Sequence, residues 1–343
     1  MALSVCDQHG VGGAKLPVMN ITSSTNARTV VAAFASDWPC NHSLNPLRAP
    51  GPTVLLALSV LFNSFMFDAE VRQRLGGLNL SFFVLDEVAA LKGSRSVVEC
   101  LSSVGAPLSL PHRCFAAGWL RLQPVRDGVG TEGRPWRSRW ALPFTVRQGW
   151  LAVANAVVAA LAGLETGDLG DLLAGCDVAV THATEPDWQD PKGFWRVDKS
   201  REPELRQTVL SLVAFHDLEE KIRACGGSDA GIEAFLGQNE GEGWMLPETL
   251  QLADFGLGHD KRAKRPQPVA SRLGPRFYDW QLAQSVEESW RECHLHARNL
   301  LGEQGYRALL DEIATREPVE QSSRTEGPPA SRMDGGSQGM LWT

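Results

Sequence analysis

The stretch that decides the reading is Leu61 to Leu91, LFNSFMFDAEVRQRLGGLNLSFFVLDEVAAL, with the apolar run Val54 to Leu58 leading into it. Apolar residues at Val54, Leu55, Leu58, Leu61, Phe62, Phe65 and Met66 recur at helical spacing and predict one amphipathic helix. Gly76 and Gly77 stop it. Beyond them, Leu78, Leu80, Phe82, Phe83, Val84 and Leu85 form an aliphatic and aromatic run suited to a half-buried strand. The expected order is helix, Gly-Gly turn, strand. Polar residues Asn63, Ser64, Asp68, Arg72, Gln73, Arg74 and Asn79 gather at the helix end and turn, where side chains can meet a partner.

Composition bounds the rest. The chain has 343 residues, 43% of them hydrophobic, enough for one large domain or two to three small ones. No uninterrupted apolar run approaches the ~20 residues that cross a bilayer, and the N-terminus lacks a basic-then-apolar leader. A cytoplasmic protein without a membrane partner is expected. Seven cysteines (Cys6, Cys40, Cys100, Cys114, Cys176, Cys225, Cys293) are scattered with no Cys-x-x-Cys, which predicts reduced thiols, with no disulfide framework or zinc finger. The formal charge of −7 argues against a general nucleic-acid binder, because phosphate neutralisation supplies most non-specific affinity. Local basic stretches remain: Arg113 to Arg147, interleaved with Trp119, Trp136 and Trp140, and a second one carrying Lys261, Arg262, Lys264, Arg265, Arg272 and Arg276. Each is either a phosphate-tracking surface or a solvated loop.

Asn63-Ser64, Asp68, Arg72, Gly77, Leu78-Asn79, Phe82 or Phe83 and Leu85 form a pattern that resembles the C-terminal target-recognition region of adenine-specific (N6) DNA methyltransferases. The type IIG restriction-modification enzymes and the methyltransferases of phage-defence systems such as BREX are of this kind. Upstream, Thr25-Asn26-Ala27-Arg28-Thr29-Val30-Val31-Ala32-Ala33 resembles the Thr-Asn-x-Arg-Thr segment that precedes this helix in the same family. The resemblance covers about Ile21 to Leu91; farther on, only Gly193-Phe194-Trp195-Arg196-Val197-Asp198-Lys199 and the last helix are reminiscent of large members. The chain departs from the pattern where the family carries an Arg before the first motif, since Met19 and Asn20 stand here. It departs again where the family closes the strand with Leu-Pro, since Ala89 and Ala90 stand here.

The resemblance implies recognition of double-stranded DNA, and it also exposes what is missing. Holding a flipped adenine needs an Asn-Pro-Pro-aromatic loop, whereas Asn45-Pro46-Leu47 lacks the second proline and the aromatic, and no aromatic follows Pro328-Pro329. A Gly-rich cofactor turn should follow a strand, and neither Gly10-Val11-Gly12-Gly13 nor Gly256-Leu257-Gly258 does so convincingly. The expectation is a specificity module, as a fragment, split subunit or remnant, with no catalytic residue and no cofactor of its own. S-adenosylmethionine would sit on a separate methyltransferase catalytic subunit or domain.

Expected DNA contacts are Arg28, Thr29, Asn63, Arg72, Gln73, Arg74 and Asn79, with Lys261, Arg262, Lys264 and Arg265 on phosphate. Arg grips guanine or phosphate bidentately, and Asn pairs with adenine. A structural alternative leaves the same sequence trace: Arg72 paired with Asp68 one helical turn away, and Asn63 and Asn79 bonded to backbone.

The expected fold is α+β. A target-recognition domain over 1–111 is followed by a basic Pro/Gly/Arg-rich connector over 112–150, a helical spacer region over 151–314 and a disordered tail over 315–343. Two rival readings are carried. One is a helical interaction protein or inert remnant without DNA affinity. The other is a magnesium nuclease built from Asp198, Glu219 and Lys221, although a helical period there points Glu219 and Lys221 to different sides. Cys293, His294 and His296 diverge on a helix, so no metal site is expected from them. Ser211, His216 and Asp217 lack a nucleophile turn.

Overall fold

The computed structural model describes residues 13–36, 38–88, 95–122, 134–179 and 189–315. The Gly10 to Gly12 group, Ala89-Ala90, most of the 112–150 connector's centre and the tail from 316 onward lie outside these residues. The fold is mixed α+β and mostly helical.

Strand β1 (Leu16–Met19) pairs antiparallel with β2 (Leu44–Leu47), setting Pro17 opposite Pro46. Neither proline has an N–H, so the ladder loses donors on both sides of one register position. The β-branched and apolar run Val30 to Phe34 is an extended segment along the other edge of β1, held by isolated bridges Val18↔Ala32 and Lys15↔Ala35. Pro17 accepts there from Ala33 N at 3.1 Å and cannot donate in return.

The predicted single helix from Val54 to Met66 is two helices, α1 (Pro52–Phe62) and α2 (Phe65–Arg74), bent by 68°. Ser64 makes the break, its side chain accepting from Phe67 N at 3.2 Å as an N-cap. Asn63 stabilises it by bonding Ala32 in both directions, Ala32 N to Oδ1 at 3.1 Å and Nδ2 to Ala32 O at 2.8 Å. The expected strand after Gly76-Gly77 is also corrected. Only residues 78–80 are extended, with Thr22 N donating to Leu78 O at 2.9 Å and Leu80 N to Asn20 O at 2.7 Å. The pairing backbone then ends, and Phe82–Glu87 close their own hydrogen bonds as the short helix α3.

Helix α4 (Arg95–Ser109) packs along α1, and the fit depends on Gly105. A Cβ there would lie 2.5 Å from the Leu56 carbonyl oxygen. Within the expected connector the chain forms α5 (Ala116–Leu122) and α6 (Trp136–Trp140), with Trp119 and Trp136 buried. These parts of the connector therefore belong to the core. The central helix α7 (Phe144–Leu161) is buried continuously from Ala152 to Ala159. It is the one unbroken helix among the described residues apolar and long enough to span a bilayer, with mean hydropathy 1.3, yet 61% of it is buried inside the protein.

Short α8 (Thr166–Leu172) carries the capping box Glu165/Asp168. Helix α9 (Gln207–Cys225) lies along α7 and ends at left-handed Gly226, and α10 (Ser228–Gly241) folds back on it, losing helical geometry at Gln238 to Glu240. A two-residue pairing of β3 (Thr249–Leu250) with β4 (Gln267–Pro268) precedes α11 (Ala270–Leu273). The last element, α12 (Val286–Thr315), is kinked at Gly302 and packs on α5. Buried apolar residues from Leu16 to Leu309 make one contiguous core across the boundaries drawn from composition.

Candidate nucleic-acid interface

The two sequence motifs meet at Asp68. From the first turn of α2 its carboxylate accepts Arg72 Nε at 2.6 Å and the backbone amides of Thr29 and Val30 at 2.9 and 3.2 Å, with Arg28 Nε at 3.2 Å. Arg72 is 1% exposed. Its remaining nitrogens donate to carbonyls from two distant segments: Lys192 at 2.7 Å and Gly193 at 3.1 Å, then Asn26 at 3.0 Å and Ala27 at 2.9 Å. The guanidinium also lies 4.0 Å over the Phe194 ring. Thus the third familiar segment, around Gly193-Phe194, closes over the other two.

Arg28 completes the hub by donating to the carbonyls of Asn63 and Ser64 and stacking 4.5 Å over Phe65. Burial lowers its pKa, Asp68 partly opposes that shift, and neighbouring Arg72 reinforces it. Two guanidiniums share one carboxylate; carbonyls of the surrounding loops take up Arg72's remaining nitrogens and Arg28 Nη2, while Arg28 Nη1 is buried without a hydrogen-bond partner among the described residues. Thr29 is fully buried, its hydroxyl donating to Ser23 O at 2.9 Å.

Four of the expected contact residues, Arg28, Thr29, Asn63 and Arg72, are therefore used internally; of these the structural alternative had named Arg72 and Asn63 and not Arg28 or Thr29. The reason is the 68° bend, which turns α2's Asp68–Arg72 face inward against the 26–30 segment. Gln73, Arg74 and Asn79 remain exposed around the Gly76-Gly77 turn, where Arg74 pairs with Glu70. Within the second basic stretch, Lys261, Lys264 and Arg265 are exposed. Arg262 is held against Glu202 and the fully buried Glu204, donating to the latter through Nη1 at 3.1 Å. It is a structural residue, and sequence alone gave no sign of its partner 58 positions away.

The nuclease set does not assemble. Asp198 accepts from Gln207 N at 3.2 Å at the start of α9, whereas Glu219 lies three turns on and accepts from Thr166 N at 3.0 Å. Each carboxylate satisfies a helix N-terminus. Cys293 is buried against α5 with its thiol donating to Ala116 O at 3.5 Å, while His294 bonds the Tyr306 hydroxyl at 2.8 Å and His296 faces Glu292. Ser211 is buried and donates to Gln207 O at 2.7 Å, so it is no nucleophile for His216. Sequence reading passed over one grouping: His216, Asp217 and Glu220 bring ligand-type atoms within 4.8 Å of one another. Asp217 there is engaged by Trp244 Nε1 at 2.8 Å.

No protein-family model, curated protein or solved structure matches this chain.

Proposed function

We propose that this chain is a DNA target-recognition module of the restriction-modification or phage-defence kind, working with a separate adenine-specific methyltransferase that supplies S-adenosylmethionine and catalysis. Residues 1–111 would read double-stranded DNA, and the helical 151–314 region would set the distance to the catalytic partner, in the cytoplasm. The observation that carries the reading is the convergence of both motifs on Asp68, through the Thr29 amide at 2.9 Å and Arg72 at 2.6 Å. Residues that define the motif are thereby scaffold, and the direct contacts fall to Gln73, Arg74 and Asn79 on the turn and to Lys261, Lys264 and Arg265 on phosphate. Exposed arginine and amide groups suit major-groove edges.

A second reading, a helical interaction protein without DNA affinity, draws on the exposed Leu295, Leu300, Leu301 and Leu310 of α12. Fluorescence anisotropy of a labelled duplex separates the two. The DNA reading expects saturable binding that weakens steeply between 50 and 200 mM salt, on the order of tenfold or more for several phosphate contacts. Binding that is absent at low salt would leave the interaction reading.

A further inference from the structure

A groove of about 900 Å³ runs between residues 28–34 with Trp38, α1, the end of α4 and α7. Its volume falls within the range of pockets for small organic ligands, about 300–1,000 Å³. Phe34, Phe115 and Trp38 build one wall, with ring centroids 6.2 Å apart for Phe34–Phe115 and 6.1 Å for Trp38–Phe115. Val60 and Leu151 also line the groove. Polar character enters chiefly through the two arginines, Arg28 and Arg147, and through Asn63, Asn155 and Gln207.

Among the described residues, those that line the groove include Arg28 and Arg147 and no Asp or Glu, although the chain as a whole carries a formal charge of −7. Arg28 shares its carboxylate with Arg72. Arg147 makes no ion pair among the described residues; one of its nitrogens donates to Leu108 O at 3.3 Å. Burial lowers the pKa of both arginines, and for Arg147 no acid among the described residues opposes the shift. A half-buried cation beside apolar walls gains most from an anion that also fills the space.

We infer that this groove is a binding site for a small organic anion with a flat apolar body, its acid group on Arg147 and its body against the Phe34–Phe115–Trp38 wall. The site is independent of the DNA reading, because it requires nothing of the Gly76-Gly77 turn or the 261–265 loop.

Two probes of nearly the same shape test it: 8-anilinonaphthalene-1-sulfonate, which is anionic, and N-phenyl-1-naphthylamine, which lacks the sulfonate. Each is titrated by fluorescence into the full chain. The sulfonate should saturate a single site and bind more tightly than the neutral probe. Arg147→Met should weaken the sulfonate by about tenfold, the scale of one charge-assisted hydrogen bond, while leaving the neutral probe unchanged. Arg147→Lys should restore most of the difference, and Leu151→Trp, which fills the groove, should weaken both probes. Circular dichroism and thermal melts identify any variant that has lost its fold, in which case the remaining variants decide. Equal affinity for the two probes would overturn the proposal and make the groove an apolar docking face. An Arg147→Met protein that keeps its fold and the full sulfonate preference would also overturn it.

Discussion

Asp68 and Arg72 stand one helical turn apart on α2, 2.6 Å from carboxylate to Nε, and both are sealed from solvent. The pair ties three segments together, because Asp68 also receives the amides of Thr29 and Val30 and Arg72 reaches the carbonyls of Asn26, Ala27, Lys192 and Gly193. Removing one member of such a pair leaves a buried charge and several polar groups unpaired. Arg72→Met should therefore destabilise the protein by about 3–5 kcal/mol, read from urea unfolding with the m-value checked. A loss under about 1 kcal/mol, the level of a surface ion pair, would show that the hub does not hold the fold together.

Arg74 behaves differently, since its partner Glu70 and its own side chain are both accessible. Arg74→Ala should change stability by only about 0.3–0.5 kcal/mol while weakening duplex binding. The triple variant Lys261→Ala, Lys264→Ala, Arg265→Ala should lower the slope of log affinity against log salt by about 2–3, measured by the same anisotropy titration. Arg262→Ala should instead lower the unfolding midpoint, because it takes the nearest counter-charge from buried Glu204. A triple variant with an unchanged salt slope would remove the 261–265 loop from the interface.

Gly105 lets α1 and α4 approach closely. With a Cβ placed 2.5 Å from the Leu56 carbonyl oxygen, Gly105→Ala forces the two backbones apart and should cost about 1–3 kcal/mol. Gly167 in α8 has open space around it, so Gly167→Ala should be neutral or stabilising by about 0.5–1 kcal/mol. The melting temperature should fall for Gly105→Ala and hold or rise for Gly167→Ala, and a stabilised Gly105→Ala would contradict the packing of this helix pair.

His294 has a pKa held below the ordinary histidine value of 6.5 by burial on α12, beside Tyr306. The folded state keeps the ring neutral more strongly than the unfolded state does. Its contribution is full above 6.5 and is lost as pH falls through the lowered folded value, where the unfolded chain binds the extra proton. His294→Asn should flatten the stability profile on the acid side of 6.5 relative to wild type. Equal acid slopes in the two proteins would assign the pH dependence elsewhere.

The sequence by itself determined that α2 ends near Gly76-Gly77 and that α7, α9 and α12 are helices. These follow from local periodicity, terminating glycines and residue identity. It also set Asp68–Arg72 at helical spacing, but whether that pair faces solvent or the core depends on the bend at Asn63-Ser64. The bend relies on Asn63 bonding Ala32 across 31 positions of chain. Likewise Phe82–Glu87 read as a strand because a strand and a short helix with mixed burial share the same apolar residues, and only the end of the pairing backbone after Leu80 selects the helix. The groove lined by Arg28 and Arg147 was hidden for the same reason. Arg28, Phe34, Phe115 and Arg147 come from separate segments, and their shared wall exists only once α1, α4 and α7 have packed.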